Sequence, residues 1–300
     1  MNRRTFAQSL AGAAMAAGIP RVSSAQAAPA GSGQSPFPLS VMLWTVFRDM
    51  PFEQRLEKVA EAGYRNVELV GEYAKWTPAD FEMANAARKR LGIHFDATAG
   101  LKHSLCDPEA RAGFVAELKD ALKPMETLGC PAMIVLSGNV VPNLSRESQH
   151  ASVVEGLKQA AAAVDGKQIE GRPVMLLLEC IDPEENPKYF LQSAAEALQI
   201  VREVNHPQVR FLYDMYHEQI AEGNLLEKLE KNVEWIRLIH VADVPGRHEP
   251  GTGEINYDTV YRKLAQLKFQ GVVAMEFLPT GDAVQSLRQA REHVEQVTRG

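Results

Sequence analysis

Four residues far apart in the chain sit at or near the ends of short apolar runs. Glu179 follows VMLLL, Asp214 follows VRFLY, His240 falls late in IRLIHVA, and Glu276 follows VVAM. Their separations are 35, 26 and 36 residues, each about one strand plus one helix. If the runs are neighbouring strands, one rim receives three carboxylates and an imidazole. Three ionised carboxylates in a low-dielectric mouth repel one another at high cost. A divalent cation removes that cost, and this donor set suits Mn²⁺, Mg²⁺, Co²⁺ or Zn²⁺ with positions left for a substrate. Taken singly each residue is weak, because a strand-end carboxylate also caps helices and a lone histidine also fills cores. The recurrence on four successive runs is what predicts a bound metal.

Other polar residues flank these four. His217 lies three residues beyond Asp214 in YDMYH, and Glu184 and Glu185 lie in ECIDPEENPKYF just after Glu179. Arg247 follows His240 by seven residues in IHVADVPGRHEPGTGEINY. These positions fit a bound ligand, although a helix cap, a surface ion pair and a solvated acidic turn are the plainer alternatives. His248 and Glu249 are assigned no role. The glycines of this stretch let the loop fold back over the mouth, bringing Arg247 within reach of whatever the metal holds.

The elements that must position these residues repeat along the chain. Apolar, β-branched runs occupy 40–47, 66–70, 93–99, 132–138, 174–180, 209–214, 236–242 and 272–277. Several follow a helix end and then Gly, as in EAGYRNVEL, KRLGIHFDA, ETLGCPAMIVL and KFQGVVAMEF, the pattern of a left-handed helix cap. Between the runs, Phe52, Leu56, Val59 and Ala60 form one helical stripe. Tyr189, Phe190, Ala194, Ala197, Leu198 and Val201 form another. Near-continuous apolar strands alternating with amphipathic helices predict a parallel sheet covered by helices. Eight units in about 260 residues favour a single-domain (β/α)8 TIM barrel, of class α/β, over a doubly wound sheet.

The composition is that of a globular chain of 300 residues, 45% hydrophobic and 23% charged, with formal charge −6. No dense basic run appears, which argues against a nucleic-acid partner. The first 27 residues read differently: a twin arginine (Arg3, Arg4), a short Ala/Gly-rich apolar stretch, and Ala25-Gln26-Ala27. This is the layout of a Tat-type signal peptide cut after Ala27, which predicts use of the Tat export machinery and a periplasmic location. The alternative is a retained anchor. Cleavage would leave 273 residues and, with Arg3, Arg4 and Arg21 gone, a charge of −9. Residues 28–38 read as a flexible lead-in to a barrel over 39–300. Cys106, Cys130 and Cys180 form neither a disulfide framework nor a zinc ribbon. No later segment reaches the 18 or so unbroken apolar residues of a membrane span.

The stretches LLLEC, YDMYHEQIAEGN, HVADVPGRHEPGTGEINY and AMEF resemble the xylose isomerase-like TIM barrels of the sugar-phosphate isomerase/epimerase superfamily. Within it the resemblance is greatest to hydroxypyruvate isomerases, and it covers Leu39 to the C-terminus. It implies a metal held by Glu179, Asp214, His240 and Glu276, and substrate contacts from His217, Arg247 and Glu185. Ketose 3-epimerases of the superfamily share this ligand set, whereas hydroxypyruvate isomerases often carry Gln where this chain has His240. The implied reaction removes a proton next to a carbonyl, with the metal stabilising an enediolate and with Glu179 and Glu276 taking and returning the proton. The substrate would be a small keto acid or carbohydrate, and a homo-oligomer is compatible with the reading. The alternatives are a ketose 3-epimerase, an inosose-type dehydratase, an endonuclease IV-like nuclease, or an exported sugar-binding protein without catalysis.

Overall fold

A computed structural model describes residues 35–299. The predicted signal peptide and most of the lead-in fall outside the described residues. Eight parallel strands close into a barrel in the order β1 (Leu39–Met42), β2 (Asn66–Leu69), β3 (His94–Thr98), β4 (Ala132–Leu136), β7 (Met175–Glu179), β8 (Val209–Asp214), β9 (Ile236–Val241) and β10 (Val272–Met275). β10 pairs with β1, so no edge is left open. A small hairpin, β5 (Gln168–Ile169) and β6 (Arg172–Pro173), precedes β7 outside the barrel sheet.

Nine helices are described: α1 (Phe52–Glu61), α2 (Pro78–Leu91), α3 (Arg111–Leu128), α4 (Arg146–Val164), α5 (Ala194–Val204), α6 (Met215–Ala221), α7 (Leu225–Asn232), α8 (Tyr257–Gln266) and α9 (Ala283–Val297). Thr77 opens α2 with a reciprocal capping box to Asp80, and Pro78 takes the first helical position, where a missing N–H costs nothing. None of the described helices is long and apolar enough to cross a membrane. Alternation along the strands makes two cores. Met42, Ala97, Ala132, Ile134, Leu177, Leu212, Leu238 and Ala274 fill the barrel interior, and a larger cluster packs between sheet and helices. All three cysteines are buried and unpaired.

The predicted rhythm of eight runs matches the eight barrel strands, with three local differences. The first run ends as a strand at Met42 and turns into a short 3-10 helix over Leu43–Thr45. Tyr189 and Phe190, placed by periodicity on the helical stripe of α5, lie ahead of its cap at Ser193. There Ser137 N–H donates to the Tyr189 hydroxyl over 2.8 Å. Gly63, Gly92 and Gly129 have the left-handed backbone expected of them, but Gly271 does not. Lys268 takes the positive φ instead, and Gly271 is required because a Cβ there would lie 2.2 Å from the Arg237 carbonyl oxygen.

Candidate metal centre and active site

Strand register brings the four predicted donors together. Asp214 pairs directly with His240, Glu179 pairs with Leu212 two residues before Asp214, and His240 pairs with Ala274 two residues before Glu276. A period of two therefore turns all four side chains to the same inner face. One ligand atom from each of Glu179, Asp214, His240 and Glu276 lies within 4.8 Å of the others, and all four residues are buried. His240 Nδ1 stands 2.8 Å from Glu276 Oε2, 3.8 Å from Glu179 Oε1 and 3.9 Å from Asp214 Oδ2. It forms no directional hydrogen bond although it is fully buried. A ring nitrogen aimed at three carboxylates without a well-directed hydrogen bond to any of them fits a cation ligand, and so does the donor set of oxygens plus one imidazole.

The predicted substrate contacts close over this cluster. Arg247 is buried, with Nη2 at 2.7 Å from Glu276 Oε2 and 3.4 Å from Asp214 Oδ2, and Nη1 at 2.8 Å from Glu185 Oε2. Its guanidinium lies between two rings, 5.3 Å from the centroid of Trp44 and 4.8 Å from that of Tyr216. His217 is buried as well, with Nε2 at 3.5 Å from Asp214 Oδ2 and Nδ1 at 2.6 Å from Asp182 Oδ2. Glu185 is half-exposed, and Glu184 meets the site only through its backbone N–H, which donates to Asp182. Asp214 also caps α6 by accepting the N–H groups of Tyr216 and His217. The cap uses Oδ1, which leaves Oδ2 facing the cluster.

The loop bearing Arg247 is held by one side chain. Asp243, fully buried, accepts N–H groups from Val244, Gly251, Gly253 and Ile255 at 2.8–3.0 Å. Gly253 is needed for this closure, since a Cβ would lie 2.0 Å from the Val244 carbonyl oxygen. Within it Arg247 takes a left-handed backbone, φ 58°. His248 and Glu249, assigned no chemistry, tie the loop to the segment after β10. His248 Nδ1 lies 2.8 Å from the Leu278 carbonyl, and Glu249 accepts from Thr280 and Ser286.

Burial and charge push the acids of the cluster in opposite directions. Burial, reinforced by Glu276 and Asp214 against the pull of His240, raises the Glu179 carboxyl to about 8. Burial also works against an ionised Glu276, but His240 and Arg247 overcome it and hold its carboxyl well below the usual range. His217 resists its burial through Asp214 and Asp182 and rises to about 9. A buried acid held neutral beside one held ionised is the arrangement that separates proton donor from proton acceptor.

Sequence reasoning missed several participants. Trp44 Nε1 donates to Glu276 Oε1 over 2.7 Å, and Glu68 Oε2 lies 2.8 Å from His240 Nε2. Glu68 is a lone acid within the apolar run NVELV, the one signal that could have found it. Asp182 and Asp243 stand in the loops already singled out, but short-range spacing does not distinguish a loop-organising aspartate from a solvated one.

Comparison with known proteins follows the same lines. Residues 56–297 match the family model for the xylose isomerase-like TIM barrel. The chain is 29% identical over 254 residues to hydroxypyruvate isomerase of Escherichia coli, covering 83% of this chain and 96% of that one. It is also 29% identical over 251 residues to 2-oxo-tetronate isomerase of Haemophilus influenzae, covering 82% and 95%. A crystal structure of an AP endonuclease, family 2, from Brucella melitensis superposes with TM-score 0.72 at 26% identity, covering 85% and 97%. With a closed eight-stranded parallel barrel and a match over most of its length, the chain belongs to the xylose isomerase-like TIM barrel family.

Proposed function

We propose that this chain is a cation-dependent isomerase of a small hydroxy-keto acid or ketose, moving hydrogen between a carbonyl carbon and its neighbour. The observation that carries the reading is the convergence of Glu179, Asp214, His240 and Glu276 within 4.8 Å beneath a buried arginine. The similarity to hydroxypyruvate isomerase and 2-oxo-tetronate isomerase supports the reaction class.

Glu179, Asp214, Glu276 and His240 Nδ1 would hold the cation. When bound, it supplies the positive charge that acidifies the proton next to the carbonyl. Arg247 and His217 orient the substrate, the guanidinium serving a carboxylate or hydroxyl oxygen that competes for it with Glu185. Glu276, held ionised, takes the proton. The proton passes within the cluster to Glu179, which returns it on the neighbouring carbon. Trp44, in the 3-10 helix after the neighbouring β1, steadies Glu276, and the aromatic walls of Trp44 and Tyr216 limit water around Arg247. General acid–base help of this kind contributes roughly 10²- to 10⁴-fold.

Incubation of the purified protein with Mn²⁺ and hydroxypyruvate in D₂O tests the reading. Deuterium is expected to enter the carbon beside the carbonyl, with the aldehyde isomer as product, and Glu276→Gln is expected to lose about 10²- to 10⁴-fold in rate. Binding without exchange of any small keto acid or ketose would sink it. Inversion at C3 of a ketose is the second reading, favoured by His240 as the fourth donor, and a parallel incubation with a ketohexose, read for the C3 epimer, separates the two. The formal charge of −6 favours a small molecule over a nucleic acid as substrate. For location, residues 1–27 support export through the Tat route. N-terminal sequencing of the periplasmic protein is expected to begin at Ala28, and a mature chain beginning at Met1 would overturn this.

A further inference from the structure

Glu68 and Asp96 interrupt an otherwise apolar barrel interior. Glu68, on β2, is completely buried, and its Oε2 reaches across the barrel to His240 Nε2 on β9 at 2.8 Å. Its Oε1 is buried without a hydrogen-bond partner. Asp96, on β3, turns toward Ser40, whose hydroxyl donates to Oδ1 over 3.2 Å, so Glu68 is the acid that meets the histidine. A carboxyl group in such a place costs several kcal/mol, and apolar groups of similar volume commonly serve packing as well or better. Packing therefore gives no reason for Glu68.

The geometry at the histidine gives one. A neutral imidazole has one N–H and one lone pair, and whichever partner takes the N–H decides where the lone pair points. Nδ1 faces Glu276, Glu179 and Asp214, while Nε2 faces Glu68 alone. We infer that Glu68 is the positioning residue of the metal centre: by accepting the Nε2–H of His240 it fixes the ring so that the Nδ1 lone pair points at the cation. The inference rests on the reading that the four donors hold a cation. A carboxylate behind a ligating histidine also makes the ring a stronger donor, and its loss commonly weakens metal binding about 10- to 100-fold.

Titration of the purified protein with Co²⁺, followed by calorimetry and visible absorption, tests this without any substrate. Glu68→Leu is expected to bind Co²⁺ roughly 10- to 100-fold more weakly than wild type, with a changed absorption band. Its unfolding midpoint without cation is expected to hold or fall, because His240 Nε2 loses its buried acceptor. A folded Leu variant with wild-type affinity and spectrum overturns the inference. Glu68→Gln keeps an acceptor oxygen and is expected to recover most of the affinity. A Gln variant as weak as the Leu variant overturns the acceptor role. Nitrogen-15 spectra of the Zn²⁺-loaded wild type need no variant: a protonated Nε2 on His240 is expected, and a bare Nε2 overturns it. Wild type that takes up no Co²⁺ removes the cation site itself, whereas wild-type binding indifferent to Glu68 removes only this inference.

Discussion

The two halves of the barrel are built alike and end differently. β7, β8, β9 and β10 each deliver a charged or metal-competent side chain within one residue of the C-terminal end: Glu179, Asp214, His240 and Glu276. β1, β2 and β4 end on Met42, Leu69 and Leu136, and β3 on a buried threonine, Thr98. The lesson is a division of labour inside one closed sheet. The second half carries the four candidate donors, and the first half closes the cylinder and lends two side chains, Trp44 and Glu68, that contact them.

The sharpest way to break that contrast is a pair of substitutions, one in each half. Glu179→Gln is expected to lower turnover by about 10²- to 10⁴-fold, measured as deuterium uptake into substrate. Its cation-free stability should hold near neutral pH, because the carboxyl that Gln replaces already keeps its proton there. Phe95→Ala, on the fully buried outer face of β3, is expected to cost about 3–5 kcal/mol of unfolding free energy in urea. Near-wild-type turnover should persist at temperatures where that variant stays folded. Reversed outcomes would erase the distinction between the halves.

A pH series sharpens the same contrast. Glu179 rises from 4.5 to about 8 and His217 from 6.5 to about 9, so the folded, cation-free protein keeps protons that the unfolded chain releases. Stability from a raised pKa is present at low pH and lost as pH climbs through the folded value. With chelator, the melting temperature is expected to fall between pH 6.5 and 9, and added Mn²⁺, which competes with those protons, should flatten the slope. A melting temperature that climbs over this window in chelator would contradict the charge arrangement of the second half. The smallest effect belongs to the first half: Thr77→Ala removes the α2 capping box and is expected to cost about 1 kcal/mol, with cation affinity unchanged in a Co²⁺ titration.

What the sequence makes legible follows the same division. Strands β7 to β10 could be read together with their donors because each apolar run carries a polar residue at or near its end, a local signal. Trp44 and Glu68 were not legible, because each acts on a residue far along the chain: 232 positions separate Trp44 from Glu276 and 172 separate Glu68 from His240. Only closure of the sheet brings them within reach. Tyr189 and Phe190 misled for a related reason, since two aromatics in phase with a helical stripe pack just as well on a loop once Ser193 starts the helix. Gly271 looked like the other helix-end glycines, yet the close approach of the Arg237 carbonyl is a contact that spacing does not reveal.

The aspartate clip at Asp243 has a consequence for how such proteins diversify. The groups of the clip itself, the carboxylate, the four amides it gathers and the glycine that lets it shut, lie between positions 243 and 255. The arginine it displays is thus encoded as a compact cassette. Exchanging that cassette for one of another length or charge would change what faces the mouth while leaving the cylinder and its four candidate donors untouched.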